Sequence, residues 1–277
     1  MVEPELPELE IVRRDLERDT AGRKVKSVDV KGLKSTPLHK NKKSLTSLLE
    51  GAKFVETTRV GMTIVTKLNN EHTLLMHPGD ETVISRCPSR TAVAPNTQVI
   101  ITFTQGGDLR FVDKGATGEL GVVPTEELDQ HLKRGRGLDL LADPVPWNIF
   151  GRFVLNSDQA LKTFLTDPDN FVGIGDLYSD EILFDAGLMY DRPANKLSTQ
   201  ELRRLNRSIT TILHDAIKYR GTTLEDRPWA DIEGNPGSYA EHIAVYGKAG
   251  ELSPRSRTPI LKAKYKGHTV YYCSTQV

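Results

Sequence analysis

The chain has 277 residues, and its 37 Lys and Arg balance 37 Asp and Glu to a formal net charge of zero. With 38% hydrophobic and 27% charged residues it reads as an ordinary globular protein, long enough for a sizeable core and expected to divide into domains. The absence of any run of about 18 apolar residues excludes a membrane-spanning helix. The acidic start, MVEPELPELE, does not read as a signal peptide, and Cys87 and Cys273 are too few for a disulfide framework, so a reducing, cytoplasmic setting is expected.

Zero net charge argues, on its face, against a nucleic-acid binder. The distribution of charge is less neutral. Arg23, Lys24, Lys26, Lys31, Lys34, Lys40, Lys42, Lys43 and Lys53 face only Asp29 and Glu50 in their stretch, and Lys248, Arg255, Arg257, Lys262, Lys264 and Lys266 make a second basic lobe. Two such lobes suit a polyanion, and on charge alone they suit solvated faces equally well.

In chain order, residues 6–21 read as a helix, with Pro7 in its first turn, Leu9, Val12 and Leu16 on one face, and Gly22 after its end. From Lys24 to Val123 the pattern is of short strands: Val25–Val30, Lys53–Arg59, Met62–Leu68, Thr73–His77, Thr82–Ser85, Thr97–Thr104 and Leu109–Val112. Turn residues separate them at Asn69-Asn70, Pro78-Gly79-Asp80, Ala94-Pro95-Asn96 and Gln105-Gly106-Gly107-Asp108. An antiparallel sandwich or barrel is the expectation.

A helical half begins at Thr125–Arg134, followed by a Pro-rich connector at Leu138–Pro146 and a helix at Ser157–Leu165. The turn Gly173-Ile174-Gly175 then leads into a helix that Gly187 stops, with Asp176 and Ser179 suited to cap its start. A glycine turn entering a helix leaves backbone N–H groups pointing outward, a weak signal for phosphate. Ser198–Tyr219 reads as a long amphipathic helix opened by a Ser198/Glu201 capping box. Residues 221–240 read as polar loop, and Ile243–Tyr246, Ile260–Tyr265 and Thr269–Cys273 as short strands, the last two joined at Lys266-Gly267.

This order, with Pro4-Glu5-Leu6-Pro7-Glu8, the HxG of His77-Pro78-Gly79, Lys162-Thr163-Phe164-Leu165, the Gly173–Leu183 turn and helix, Val245-Tyr246-Gly247-Lys248, Thr258-Pro259-Ile260 and Tyr271-Tyr272-Cys273, resembles the formamidopyrimidine-DNA glycosylase and endonuclease VIII family over essentially the whole chain. The resemblance implies an α+β fold: an N-terminal antiparallel β-sandwich with a leading helix (residues 1–135), a helix-two-turn-helix domain (136–235) and a C-terminal β-hairpin finger (236–277). It implies base flipping, attack of an N-terminal amine on the sugar C1′, a Schiff base and β-elimination. An α-amine suits this because its pKa, about 8, leaves more of it neutral at pH 7 than a lysine at about 10. The implied partner is double-stranded DNA with a damaged base or abasic site, bound by a monomer in the bacterial cytoplasm with the nucleoid, without a cofactor.

The sequence departs from the pattern in ways that keep several readings open. Val2 and Glu3 precede Pro4, whose internal nitrogen is an amide and not a nucleophile. Loss of Met1 would expose an amine at Val2 followed by Glu3, shifting the amine–carboxylate pair two residues from Pro4-Glu5. Otherwise the extension closes the site, or the leading residues are not native to it. The catalytic candidates are therefore Val2, Glu3, Pro4 and Glu5. The candidates for nucleic-acid contact are His77, Gly173, Gly175, Asp176, Tyr178, Lys248, Arg255, Arg257, Lys264, Lys266 and His268. Gly61, Asp176 and His268 stand where the resemblance implies a phosphate-binding lysine, asparagine and arginine, and Asp80 where it implies an apolar wedge. The loop Lys114-Gly115-Ala116-Thr117 lacks the implied Arg-Phe pair. These changes leave a second reading, an inactive relative that binds DNA. The two implied C-x-x-C pairs read Ser253/Ser256 and Cys273/Gln276, so a finger without zinc is expected, with Cys273 a small buried residue. His77, His214 and His242 read as structural, Asp180-Glu181 as a first-turn pair serving the helix dipole, and Trp147 and Trp229 as packing residues.

Overall fold

The structure, a computed structural model, describes residues 4–132, 137–142 and 145–277. Two compact units form: residues up to 134 together with 220–237, and residues 135–219 together with 238–277. The chain therefore leaves the first unit, builds the second, returns for one segment and goes back. The fold is α+β, with an antiparallel β domain, a helical domain and a C-terminal hairpin.

In the first unit α1 (Leu6–Thr20) starts with Pro in its first turn, where no intrahelical N–H is needed. Its apolar stripe of Leu9, Val12 and Leu16 is buried against a sandwich of two four-stranded sheets. The strands are β1 (Val25–Val30), β2 (Phe54–Val60), β3 (Thr63–Leu68), β4 (His72–His77), β5 (Thr82–Cys87), β6 (Thr97–Phe103), β7 (Asp108–Asp113) and β8 (Glu119–Pro124), ordered β1-β6-β7-β5 and β2-β3-β4-β8. Every pairing is antiparallel. The core between them takes Phe54, Ile64, Leu74, Met76, Val99, Ile101, Phe111, Leu120 and Val122, alternate residues whose side chains point the same way. Two elements here were not expected. The helix α2 (Lys42–Leu49) is short and buries only Leu45 and Leu49, so its apolar signal is thin; Asn41 caps it by accepting from the Ser44 N–H. Strand β8 was not expected either; Gly118 precedes it and Gly121 interrupts its apolar run.

Still in the first unit, the expected helix at Thr125–Arg134 contracts, within the described residues, to a 3₁₀ turn at Thr125–Glu127 and α3 (Leu128–His131); the remaining helices belong to the second unit. The connector gives way to α4 (Trp147–Leu155), which buries Phe150 and Val154. The next helix, α5 (Leu161–Thr166), starts later than expected because Ala160 is bridged to Pro193. Then come α6 (Asp176–Ala186), ended by Gly187 at φ +69°, and α7 (Thr199–Lys218), with its Ser198/Glu201 capping box formed in both directions. Strands β9 (Ile260–Tyr265) and β10 (His268–Cys273) make the hairpin, and Lys266 and Gly267 both take the positive φ that a two-residue turn requires.

The expected strand at Ile243–Tyr246 is absent. The chain there follows a 3₁₀ turn at Tyr239–His242, and its N–H groups at Ala244, Val245 and Tyr246 donate to the Glu181 carboxylate at 2.7, 2.9 and 2.9 Å. A carboxylate takes the place of a neighbouring strand. Glu181 is 1% exposed, so burial pushes its carboxyl above the usual range against the pull of the three N–H groups. Glu181 is thus a clamp and not a dipole partner of its own helix. Glu181→Ala leaves three N–H groups without that acceptor and should cost about 3 kcal/mol or more in urea unfolding, with Glu181→Gln losing less. A cost below about 1 kcal/mol for the alanine variant would show that the clamp is not needed.

Candidate functional site

Each unit carries its own set of candidate residues. In the first, the start of α1 opens onto a cavity of about 190 Å³ lined by Pro4, Glu8, Pro78, Thr222, Arg227 and Trp229 among others. Three carboxylates, Glu5 at the N-cap of α1 and Glu8 and Asp15 within it, hold the returning segment 220–237 against it. Glu5 pairs with Arg227 at 2.8 Å, Glu8 accepts from the Thr222 N–H at 3.0 Å, and Asp15 accepts both terminal nitrogens of Arg220, at 3.0 and 2.5 Å. Arg220 also reaches Asp231 at 2.6 Å, and these partners hold the guanidinium above its ordinary pKa. Trp229 donates to the Arg220 carbonyl at 3.0 Å, over Gly221, whose φ is +81° and where a Cβ would meet the indole. This ties the cavity wall to the helix entry.

Of the catalytic candidates, Val2 and Glu3 lie outside the described residues. Pro4 is half-buried and lines the cavity. Glu5 is 4% exposed and committed to Arg227, so it fixes the path of the chain start. Arg227 and Thr222 were not anticipated, since residues 221–240 carry no periodic pattern. The signal available was chemical: buried carboxylates at the start of α1 require donors from elsewhere. His77 closes β4, with Nδ1 3.2 Å from the Thr63 hydroxyl. The Gly61 carbonyl accepts from Arg59 at 2.7 Å while Arg59 pairs with Glu10 at 3.3 Å. Asp80 is half-buried in the turn after His77, its carbonyl accepting from Thr117 at 3.2 Å.

In the second unit Gly173 takes φ +63° and Gly175 is the N-cap of α6, without a side-chain cap bond. The expected capping by Asp176 and Ser179 does not occur. Asp176 Oδ1 instead lies 2.7 Å from His268 Nδ1 and 3.2 Å from Lys162 Nζ. Two departures from the family pattern, 92 positions apart, meet in one pair. Lys162 is fully buried and also donates to Asp180 Oδ1 at 2.8 Å, the Ser179 hydroxyl at 2.8 Å and the Asp176 carbonyl at 3.0 Å. Asp180 Oδ2 accepts from the Tyr271 N–H of β10 at 2.8 Å. Burial pushes the Asp180 carboxyl up to about 7, while Lys162 and the Tyr271 N–H pull the other way.

The candidates for nucleic-acid contact differ in what their side chains touch. Tyr178 is 0% exposed and packs its ring 5.7 Å from that of Tyr239, so its side chain belongs to the core. Arg255 donates to the Phe184 and Asp185 carbonyls at 2.9 Å each and lies over the Phe184 ring, capping the end of α6. Lys248 folds back onto the Ile243 carbonyl. Arg257, Lys264 and Lys266 are exposed, and Lys262, Lys264 and Lys266 follow one another at every second residue from β9 into its turn.

The four positions of the implied zinc site do not fit the metal. Ser253, Ser256 and Gln276 are not zinc ligands, and one thiol cannot supply the four donors that a structural site needs. The Ser256, Thr258 and Thr275 hydroxyls instead surround the buried Cys273 sulfur at 3.0, 3.1 and 3.2 Å. Burial pushes this thiol up, and the hydroxyls more than offset it, bringing it down to about 6. Gln276 accepts from the Cys273 N–H at 2.7 Å and donates to the Leu188 carbonyl at 2.8 Å.

Comparison with known proteins places this geometry. The profile described as the formamidopyrimidine-DNA glycosylase N-terminal domain matches residues 3–120, and that described as the formamidopyrimidine-DNA glycosylase H2TH domain matches residues 137–227. A formamidopyrimidine-DNA glycosylase of Pelotomaculum thermopropionicum is 31% identical over 277 residues, 98% of each chain, and one of an Exiguobacterium species is 32% identical, again over 98% of each. The crystal structure of the MutM (Fpg) protein of Thermus thermophilus superposes with a TM-score of 0.83 at 30% identity over 98% of each chain. A Lactococcus lactis Fpg solved with abasic-site DNA shares the fold, with a TM-score of 0.86 at 24% identity and 97% of each chain covered. The chain belongs to the formamidopyrimidine-DNA glycosylase family, enzymes of DNA base-excision repair.

Proposed function

We propose that this protein is a DNA glycosylase and abasic-site lyase whose nucleophile is the amine exposed at Val2 once Met1 is removed. The observation that supports this is the path of the chain start: Pro4 lies on the wall of the 190 Å³ cavity, and Glu5, two residues after Glu3, is anchored to Arg227. An amine two residues before Pro4 stays within a short reach of the cavity. The neutral amine attacks the sugar C1′, the glycosidic bond breaks, and its electron pair leaves with the base. Opening of the sugar ring gives an imine. Loss of a C2′ proton then expels the 3′ phosphate and cuts the strand. In this reading Glu3 handles protons at the sugar, and Glu5 and Arg227 position the chain start. The substrate is double-stranded DNA carrying a damaged base or an abasic site, in the cytoplasm with the nucleoid. The reading as an inactive DNA binder is less well supported, because the cavity at the chain start is present and Glu5 and Glu8 beside it are held by Arg227 and Thr222.

In the second unit we place DNA phosphates along the Gly173–Asp176 turn, His268 and the lysines of β9. Asp176 opposes a phosphate there and is kept in place by His268 and Lys162, with charge-assisted bonds of about 1.5–3 kcal/mol each.

Borohydride trapping on duplex DNA with an abasic site, read by intact mass and peptide mapping, should give a covalent adduct at Val2. Met1 retained on the protein with no adduct would overturn the amine mechanism. Separately, Asp176→Asn should tighten binding to the same duplex by about tenfold at fixed salt, as the repulsive charge is removed. An unchanged affinity would place phosphates elsewhere on this unit.

A further inference from the structure

The first unit has a second depression, of about 750 Å³, where α1 ends and β5 ends. Helix α1 is 15 residues long, so the two sites stand roughly 20 Å apart along it. We propose that this depression binds a phosphate-type oxoanion through Arg23 and Arg86.

Both guanidiniums line it, with Arg90 beside them. Carbonyl oxygens hold them in place: Arg23 donates to the Asp19 and Gln105 carbonyls, and Arg86 donates to the Gly106 carbonyl at 2.6 Å while lying over the Phe103 ring. The two acids that line it, Asp19 and Glu233, are drawn to another residue. Arg18 takes the Asp19 carboxylate at 2.7 Å and approaches Glu233 at 3.5 Å. The next, Asp108, is taken by Arg110 at 3.0 Å. Among the described residues, Arg86 is left with Nε and Nη1 buried and without a hydrogen-bond partner. Donors of this kind are rare in folded proteins and call for an ion or water to satisfy them.

The backbone is shaped around the pair. Gly106 and Gly107 take φ of +91° and +86°, and a Cβ on Gly106 would collide with the Arg23 guanidinium. Burial, and the neighbouring Arg23 charge, hold Arg86 below its ordinary value. Two like charges packed together are stabilised by an anion that bridges them, and a planar guanidinium fork matches an oxoanion in two-pronged geometry. A free phosphate and a phosphodiester of nucleic acid offer the same chemistry.

Nitrogen-15 NMR of arginine side chains in the full chain tests this, with inorganic phosphate titrated at constant ionic strength in one arm and undamaged duplex DNA in the other. The Arg86 Nε–H resonance, assigned by its loss in Arg86→Lys, should shift saturably. A response to inorganic phosphate identifies a free oxoanion as ligand, and a response to duplex alone identifies a phosphodiester. Arg23→Gln, which keeps the Arg86 resonance, should weaken that binding by about tenfold. The proposal is overturned if the Arg86 resonance responds to neither, or if Arg23→Gln binds as the native chain does. Neither arm depends on the amine at Val2, so a failed trapping experiment leaves this result readable.

Discussion

A single buried ammonium organises the second unit. Lys162 has no solvent exposure, and its three N–H bonds are spent on Asp180, Ser179 and the Asp176 carbonyl, with the Asp176 carboxylate at 3.2 Å. A charge taken out of water at this depth costs several kcal/mol, and only a complete set of oxygens in good geometry returns it. Lys162 therefore dictates where Asp176 and Asp180 sit. Those two carboxylates carry the constraint onward to β10, Asp180 through the Tyr271 N–H and Asp176 through His268. The hairpin is held against α6 by side chains that are themselves held by one lysine.

This arrangement explains how a finger keeps its shape with one cysteine. Glu181 takes three N–H groups of the chain before the hairpin, Arg255 closes the end of α6, and Gln276 ties the tail to Leu188. The hydroxyls around Cys273 fill the space where the family's pattern implies metal ligands. The same economy shapes the first unit. There, carboxylates on one face of α1 hold a segment more than two hundred positions away, and that segment walls the cavity at the chain start.

Much of the fold was legible because period and punctuation agreed. Helix α7 announced itself by an apolar stripe and a capping box, and the β9–β10 hairpin by alternation around Lys266-Gly267. Helix α2 was missed because eight residues bury only two leucines, and α4 because prolines precede it. The strand expected at Ile243–Tyr246 looked apolar enough, but its backbone donors belong to Glu181, which no local pattern reveals. The site was legible as a set of motifs and illegible as a set of pairs. Asp176 and His268 each read as a lost phosphate ligand, and only folding brings them within 2.7 Å. Arg227 lay in a stretch with no pattern at all, and its role follows from the buried carboxylate that it answers.

Carboxylates anchored by Lys162, and not a metal, hold the C-terminal hairpin in place. Thermal unfolding of the purified protein, run in excess zinc and in excess chelator, tests it most directly. The midpoint should be the same in both. A midpoint that falls in chelator and recovers with zinc would contradict it.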